Sequence, residues 1–142
     1  TYLDCASNEL TSLDVTKNTA LTGLVCYGNE LTFLDVTKNS ALTGLSCAYN
    51  ELTSLDVTKN TALTYLDCAN NKLTSLDVTK NTALTELICF GNQFTVAEMN
   101  KIYKTLPNVG YDEFGYSIGY LNCTELGNWS IAEEKGWTVN FN

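Results

Sequence analysis

Five of the six cysteines in this 142-residue chain stand 21 residues apart, at Cys5, Cys26, Cys47, Cys68 and Cys89. Thiols can hold zinc, exchange disulfides or attack electrophiles, so their spacing is the first chemical signal to weigh. Zinc sites draw ligands from turns at C-x2–4-C spacing, and no two cysteines here are that close. Rungs of a coil stack near enough for disulfides, but ladder side chains point in parallel, whereas a bridge needs Cβ atoms turned toward each other. A thiol is also small and buries like a hydrophobe, so core packing is the favoured reading over disulfides or a metal array. Cys123 falls outside the series and receives no assignment.

Two asparagine series, Asn8/29/50/71/92 and Asn18/39/60/81, keep the same period. An amide both donates and accepts, so these read as bridges between turns. The column Asp14, Asp35, Asp56 and Asp77 could line up a row of calcium ions. Each site would supply one acid per turn and no glycine-rich calcium loop, and a lysine follows three residues on, at Lys17, Lys38, Lys59 and Lys80. A local turn bond from each carboxylate to the Thr-Lys-Asn backbone is the favoured reading, and no cofactor or metal is expected.

Catalytic chemistry has little to work with. There is no histidine and no arginine, which removes Ser–His and Cys–His pairs and bidentate guanidinium clamps. The acids Asp4 and Asp67 share an exposed face but sit three turns apart, about 14 Å by strand spacing, beyond the span glycoside hydrolysis uses. The chain is read as not an enzyme. Net charge is −8, from sixteen acids against eight lysines, acidic in both halves, which disfavours nucleic acid as a partner. No stretch of about 18 apolar residues is present, so no membrane insertion is expected. The first residues, Thr1 to Cys5, already lie inside the repeat, as in a piece or mature form cut from a longer chain.

These columns imply the element that carries them. Each 21-residue unit divides into Leu21-x-x-Leu24-x-Cys26-x-x-Asn29-x-Leu31 and Leu31-x-x-Leu34-Asp35-Val36-x-x-Asn39-x-x-Leu42. Apolar residues alternate over two or three positions and then meet asparagine, the signature of a short half-buried strand followed by a turn. One unit cannot bury its own apolar face, but stacked units can. The expectation is a β-rich solenoid of short parallel strands, one per half-turn, over residues 1–93.

The unit LxxLxCxxNxLxxLDVTxNxA resembles the leucine-rich repeats of bacterial surface proteins, internalin-like with a cysteine ladder. The resemblance covers about two-thirds of the chain. It implies an extracellular or cell-surface location, an adhesive or protein-binding role, and a concave side lined by the first-strand sheet. On that sheet the outward residues vary from unit to unit, whereas the second half-turn repeats Ser, Asp, Thr and Lys almost unchanged. Tyr2, Val25, Tyr27, Tyr49, Tyr65, Asp67, Ile88 and Phe90 are therefore the candidate ligand-binding residues. Aromatic rings on an exposed sheet suit a protein or a carbohydrate ligand, and ordinary strand propensity is the competing explanation. A structural spacer with no ligand of its own is the alternative function, and a monomer is expected.

Residues 94–142 leave the repeat. Thr95 with Glu98 forms a capping box and Phe94 with Met99 a hydrophobic staple, so a helix should start there and stop before Pro107. Tyr116, Ile118 and Tyr120 alternate like a strand, Ser130 with Glu133 suggests a second capping box ended by Gly136, and Trp137–Phe141 alternates again. Residues 130–139 resemble the C-terminal cap that follows such repeats in gut-bacterial surface proteins. The segment is expected to be a small α/β cap covering the last rung.

Overall fold

A computed structural model describes all of residues 1–142. Seven strands make one parallel sheet in sequence order: β1 (Tyr2–Asp4), β2 (Gly23–Val25), β3 (Gly44–Ser46), β4 (Tyr65–Asp67), β5 (Glu86–Ile88), β6 (Gly119–Cys123) and β7 (Trp137–Phe141). Helices α1 (Val96–Thr105) and α2 (Ser130–Glu133) flank β6 in sequence. The chain is a leucine-rich-repeat solenoid, and its register is the sequence period itself: Leu3, Leu24, Leu45, Leu66 and Leu87 stand side by side.

The central leucine of each strand faces inward. Leu24, Leu45, Leu66, Leu87 and the cysteines two residues on are fully buried, joined by Leu31, Leu52 and Leu73 from the next turn. Each fully buried leucine contributes roughly 1.5–3 kcal/mol, and the repetition makes the core one continuous column.

Within the repeats the fold differs from expectation in one respect. The second half-turn is extended but forms no strand, so each coil carries one strand rather than two. Its backbone groups are already engaged locally. Thr16, Thr37, Thr58 and Thr79 donate their N–H to the aspartate two residues back, at 2.9 Å. Asn39, Asn60 and Asn81 donate to carbonyls of the preceding coil, as Asn60 does to Val36 and Asn39, both at 2.9 Å. Backbone pairing between these half-turns reduces to single bonds such as Glu51 N–H to Leu31 O, 2.9 Å.

The other asparagine series clamps the first turn. Asn50 Nδ2 reaches the carbonyl of Cys26 one coil back and of Cys47 in its own coil, while its Oδ1 accepts from the Leu31 N–H. The same pattern holds at Asn29, Asn71 and Asn92.

The sheet runs on past residue 93. Leu87 pairs in register with Leu121, which puts Cys123 after Cys89 in the column. Cys123 is thus a sixth rung of the ladder, spaced 34 residues from its neighbour because α1 and a long loop intervene. Its strand is 119–123 and not 116–120: Gly119, Leu121 and Cys123 face inward, and Tyr116 and Ile118 lie in the loop before it. Thr95 caps α1 by accepting from the Glu98 N–H at 3.2 Å, with Phe94 and Met99 both buried. At α2 the cap is Trp129, with no side-chain bond, and Ser130 instead donates to Asn128 Oδ1. Gly136, with φ near +85°, ends that helix because only glycine adopts this backbone freely.

All six cysteines are free thiols, five of them buried and Cys5 half-buried at the open first rung. Burial pushes their pKa up, Cys26 to about 12, so none is a ready nucleophile. In the native protein a thiol reagent should modify Cys5 alone, and unfolding should release five more thiols. Mass spectrometry of intact, alkylated protein checks this; a disulfide within the column would contradict it.

Candidate ligand-binding face

Three columns of outward side chains cross the sheet. The first runs Tyr2, Gly23, Gly44, Tyr65, Glu86 and Tyr120, and the second Asp4, Val25, Ser46, Asp67, Ile88 and Asn122. The third follows the strands as Ala6, Tyr27, Ala48, Ala69 and Phe90, and in it Ala48 and Ala69 are buried. Tyr2, Tyr27 and Tyr49 are exposed; Val25, Tyr65, Asp67, Ile88 and Phe90 are half-buried among their neighbours.

The aromatics do not make one patch. Tyr2 lies across Gly23, where an added Cβ would come within 2.6 Å of its ring. Tyr65, Ile88, Phe90 and Tyr120 gather at the other end. Between them the third rung presents Gly44 and Ser46, both small, with Ala48 buried beside them, and nothing lies within 4 Å of a Cβ built on Gly44. The result is a low strip flanked by the rungs of Tyr27 and Tyr65, about 10 Å apart by strand spacing. Asp67 borders it. Burial holds its carboxyl above the usual range, against the Ala69 N–H that it accepts at 3.1 Å. Burial and then the charges of Asp67 and Glu86 push the Tyr65 hydroxyl up to about 12.

Tyr49 stands at the rim of this strip in an unusual backbone state. Each coil turns through one left-handed residue: Ser7, Gly28, Tyr49, Asn70 and Gly91, with φ between 50° and 66°. Glycine and asparagine take this conformation at little cost, whereas a bulky side chain there is strained by about 1–2 kcal/mol. Tyr49 occupies it with its side chain 60% exposed.

Sequence reasoning missed Tyr120 and Asn122, because their place in the columns depends on a register shifted by the inserted loop. The signal was present: Tyr120-Leu-Asn-Cys123 matches Tyr2-Leu-Asp-Cys5 and Tyr65-Leu-Asp-Cys68. Also missed was the consequence of Phe33, which stands where other repeats have Ser12, Ser54 and Ser75. It borders a groove of about 480 Å³ on the second half-turn, whose rim carries Asp35, Asp56 and Asp77.

Those aspartates make the expected turn. Each Oδ1 accepts from both the N–H and the hydroxyl of the threonine two residues on, at 2.6–2.9 Å. These bonds, chiefly the hydroxyl's, lower the carboxyl pKa, with the nearby lysine adding to the effect. No group of three or more cysteine or acid side chains is arranged to hold a metal ion.

The profile of leucine-rich repeats, two copies, matches residues 40–81. The functional domain of InlJ from Listeria monocytogenes, whose structure includes a cysteine ladder, is 39% identical over 88% of this chain, with a TM-score of 0.70. The chain is an internalin-like leucine-rich-repeat protein. A leucine-rich-repeat protein of Leptospira interrogans is 29% identical over 74% of the chain, TM-score 0.71. The Listeria internalin InlF shares the fold over 95% of the chain at 20% identity, TM-score 0.76. This internalin-like chain spans 25%, 29% and 39% of the lengths of those three proteins, respectively. No curated protein matches it. Its repeat architecture is that of a protein-interaction module, and no helix is long and apolar enough to cross a membrane.

The turn carboxylates set an acid limit on stability. Their folded pKa lies below the unfolded value of about 3.9, so each stabilises the fold above that pH and loses its effect as pH falls through the folded value. Asp56→Asn keeps the acceptor but removes the titration. Its melting temperature should fall less than that of the parent between about pH 5 and pH 2.5. Scanning calorimetry across that range checks it.

Proposed function

We propose that the chain is a non-catalytic binding module of a surface or secreted bacterial protein, taking a protein or glycan ligand on the first-strand face. The observation that carries this reading is Tyr49. Four of the five equivalent turns use Gly, Asn or Ser, and one holds an exposed tyrosine in a conformation that costs stability. Strain of this kind persists where the side chain has a use that glycine cannot supply. The small residues Gly44 and Ser46 beside it leave room for an extended chain or a sugar ring, with Tyr27, Tyr65 and Asp67 on the flanks. Aromatic side chains so placed supply apolar area and, through the hydroxyl, a hydrogen bond. The surface location rests on the likeness to the internalins.

Stability and binding should therefore move in opposite directions in Tyr49→Gly. The fold should gain up to about 1 kcal/mol as the left-handed strain is relieved. Affinity for a ligand found by glycan array or by a panel of purified extracellular proteins should fall at least about tenfold, the loss expected of an aromatic anchor. Chemical denaturation and calorimetric titration read the two effects. A ligand that binds parent and Tyr49→Gly alike would move the site off this face. Absence of any ligand in both screens would favour the spacer role.

A further inference from the structure

The loop between α1 and β6 carries the densest group of exposed large apolar side chains in the molecule. Tyr111, Phe114, Tyr116 and Ile118 are 51–76% exposed, and Tyr120 follows at 37% on the outer face of β6. A flexible loop would bury such residues or lose them into disorder, but this backbone is held. Asp112 Oδ1 accepts from the N–H groups of Phe114 and Tyr116 at 2.9 and 2.8 Å, and the Asp112 N–H donates to Tyr116 O at 2.8 Å. Tyr111 and Ser117 form an antiparallel bridge, and Ser117 Oγ reaches the carbonyls of Gly119 and Gly136. The base of the hairpin crosses the α2–β7 turn so closely that a Cβ at Gly136 would lie 2.6 Å from Gly110 backbone atoms.

Charge narrows what could cover these rings. From residue 104 to 135 five acids, including Asp112 and Glu113 in the hairpin itself, stand against two lysines, and the Lys135 ammonium is already held by the carbonyls of Lys104 and Leu106. A loop that inserts into anionic lipid pairs apolar side chains with lysine or arginine, the reverse of this pattern. An apolar cluster edged by carboxylates complements a protein surface with apolar side chains set among lysines or arginines. A hairpin fixed before contact also loses little entropy on binding.

We propose that residues 111–118 form a second docking site, for a segment of a partner protein that presents an apolar side chain flanked by lysine or arginine. This site is distinct from the strip beside Tyr49 and does not depend on it.

The test uses the whole chain and a random dodecapeptide library displayed on phage. Selected peptides should combine an aromatic or branched aliphatic residue with lysine or arginine. Titrated as synthetic peptides, they should bind at least about tenfold more weakly to the double variant Phe114→Ser/Tyr116→Ser. Glu113→Gln, which leaves the hairpin's hydrogen bonds in place, should flatten the salt dependence of binding. Tyr27→Ala/Tyr49→Ala should bind these peptides as the parent does. An unenriched library, or peptides without basic residues, would overturn the proposal. So would peptides lost on Tyr27→Ala/Tyr49→Ala but kept by the loop variant, which would leave the first-strand face as the binding site. Sedimentation of the chain with phosphatidylcholine vesicles, abolished by Phe114→Ser/Tyr116→Ser, would assign the loop to a membrane surface instead.

Discussion

The first turn of each coil has no backbone hydrogen bond within its own coil. A tight corner every ten or eleven residues leaves carbonyls pointing along the stack, where neither a helix nor a wide sheet can reach them. The asparagine side chain resolves this by bonding to its own coil and the preceding one together, as Asn50 does to Cys47 and Cys26. Everything else follows from that clamp. It sets the spacing of the coils, which sets the register of the sheet, which forces leucine and cysteine into continuous columns. Loss of one such amide leaves buried backbone groups unpaired, at about 1–3 kcal/mol, so the position admits little else.

The clamp also explains why the two sides of the coil differ. On the second half-turn the aspartate, threonine and asparagine side chains are all used to close the corner, so those positions repeat without change. On the first strand the backbone pairs with its neighbours and the outward side chains, apart from Asp4 and Asp67, make no hydrogen bond that closes the turn. They are free to vary, and Gly23, Gly44, Tyr65 and Glu86 occupy equivalent places on adjacent rungs without disturbing the fold. The proposed binding side is thus the one whose side chains the turns do not use, and Tyr49 goes further by occupying a turn position at a cost to structure.

Where the period was unbroken, the sequence was sufficient: inward leucines, the thiol column and the aspartate turns follow from spacing and residue type, and beyond it the helix start at Thr95 follows from its capping box. Three features were not legible, each for a physical reason. A strand on the second half-turn was expected from the alternation Leu34-Asp-Val36, but alternation records burial and not pairing, and the backbone groups there were already taken by side chains. Cys123 was set aside because counting by 21 fails across an insertion, although β6 resumes the same column. The hairpin at 111–118 has no periodicity, so its exposure emerges only from the fold that holds its base. Ser130 shows a related limit: a capping-box pattern does not form when the helix starts one residue earlier at Trp129.

Residues 2–123 form a single column locked rung to rung, with the C-terminal segment built into it. Native-state hydrogen exchange tests this most directly. The amides of Cys26, Cys47, Cys68 and Cys89, which bond to the following strand, and of Leu31, Leu52 and Leu73, which bond to asparagine, should exchange only through global unfolding and with one common free energy. Cys89 is decisive, because its N–H donates to Asn122 across the end of the repeat. Exchange at Cys89 matching that at Cys47 is the predicted result. Exchange at Cys89 through a separate, lower-energy opening of residues 94–142 would contradict it.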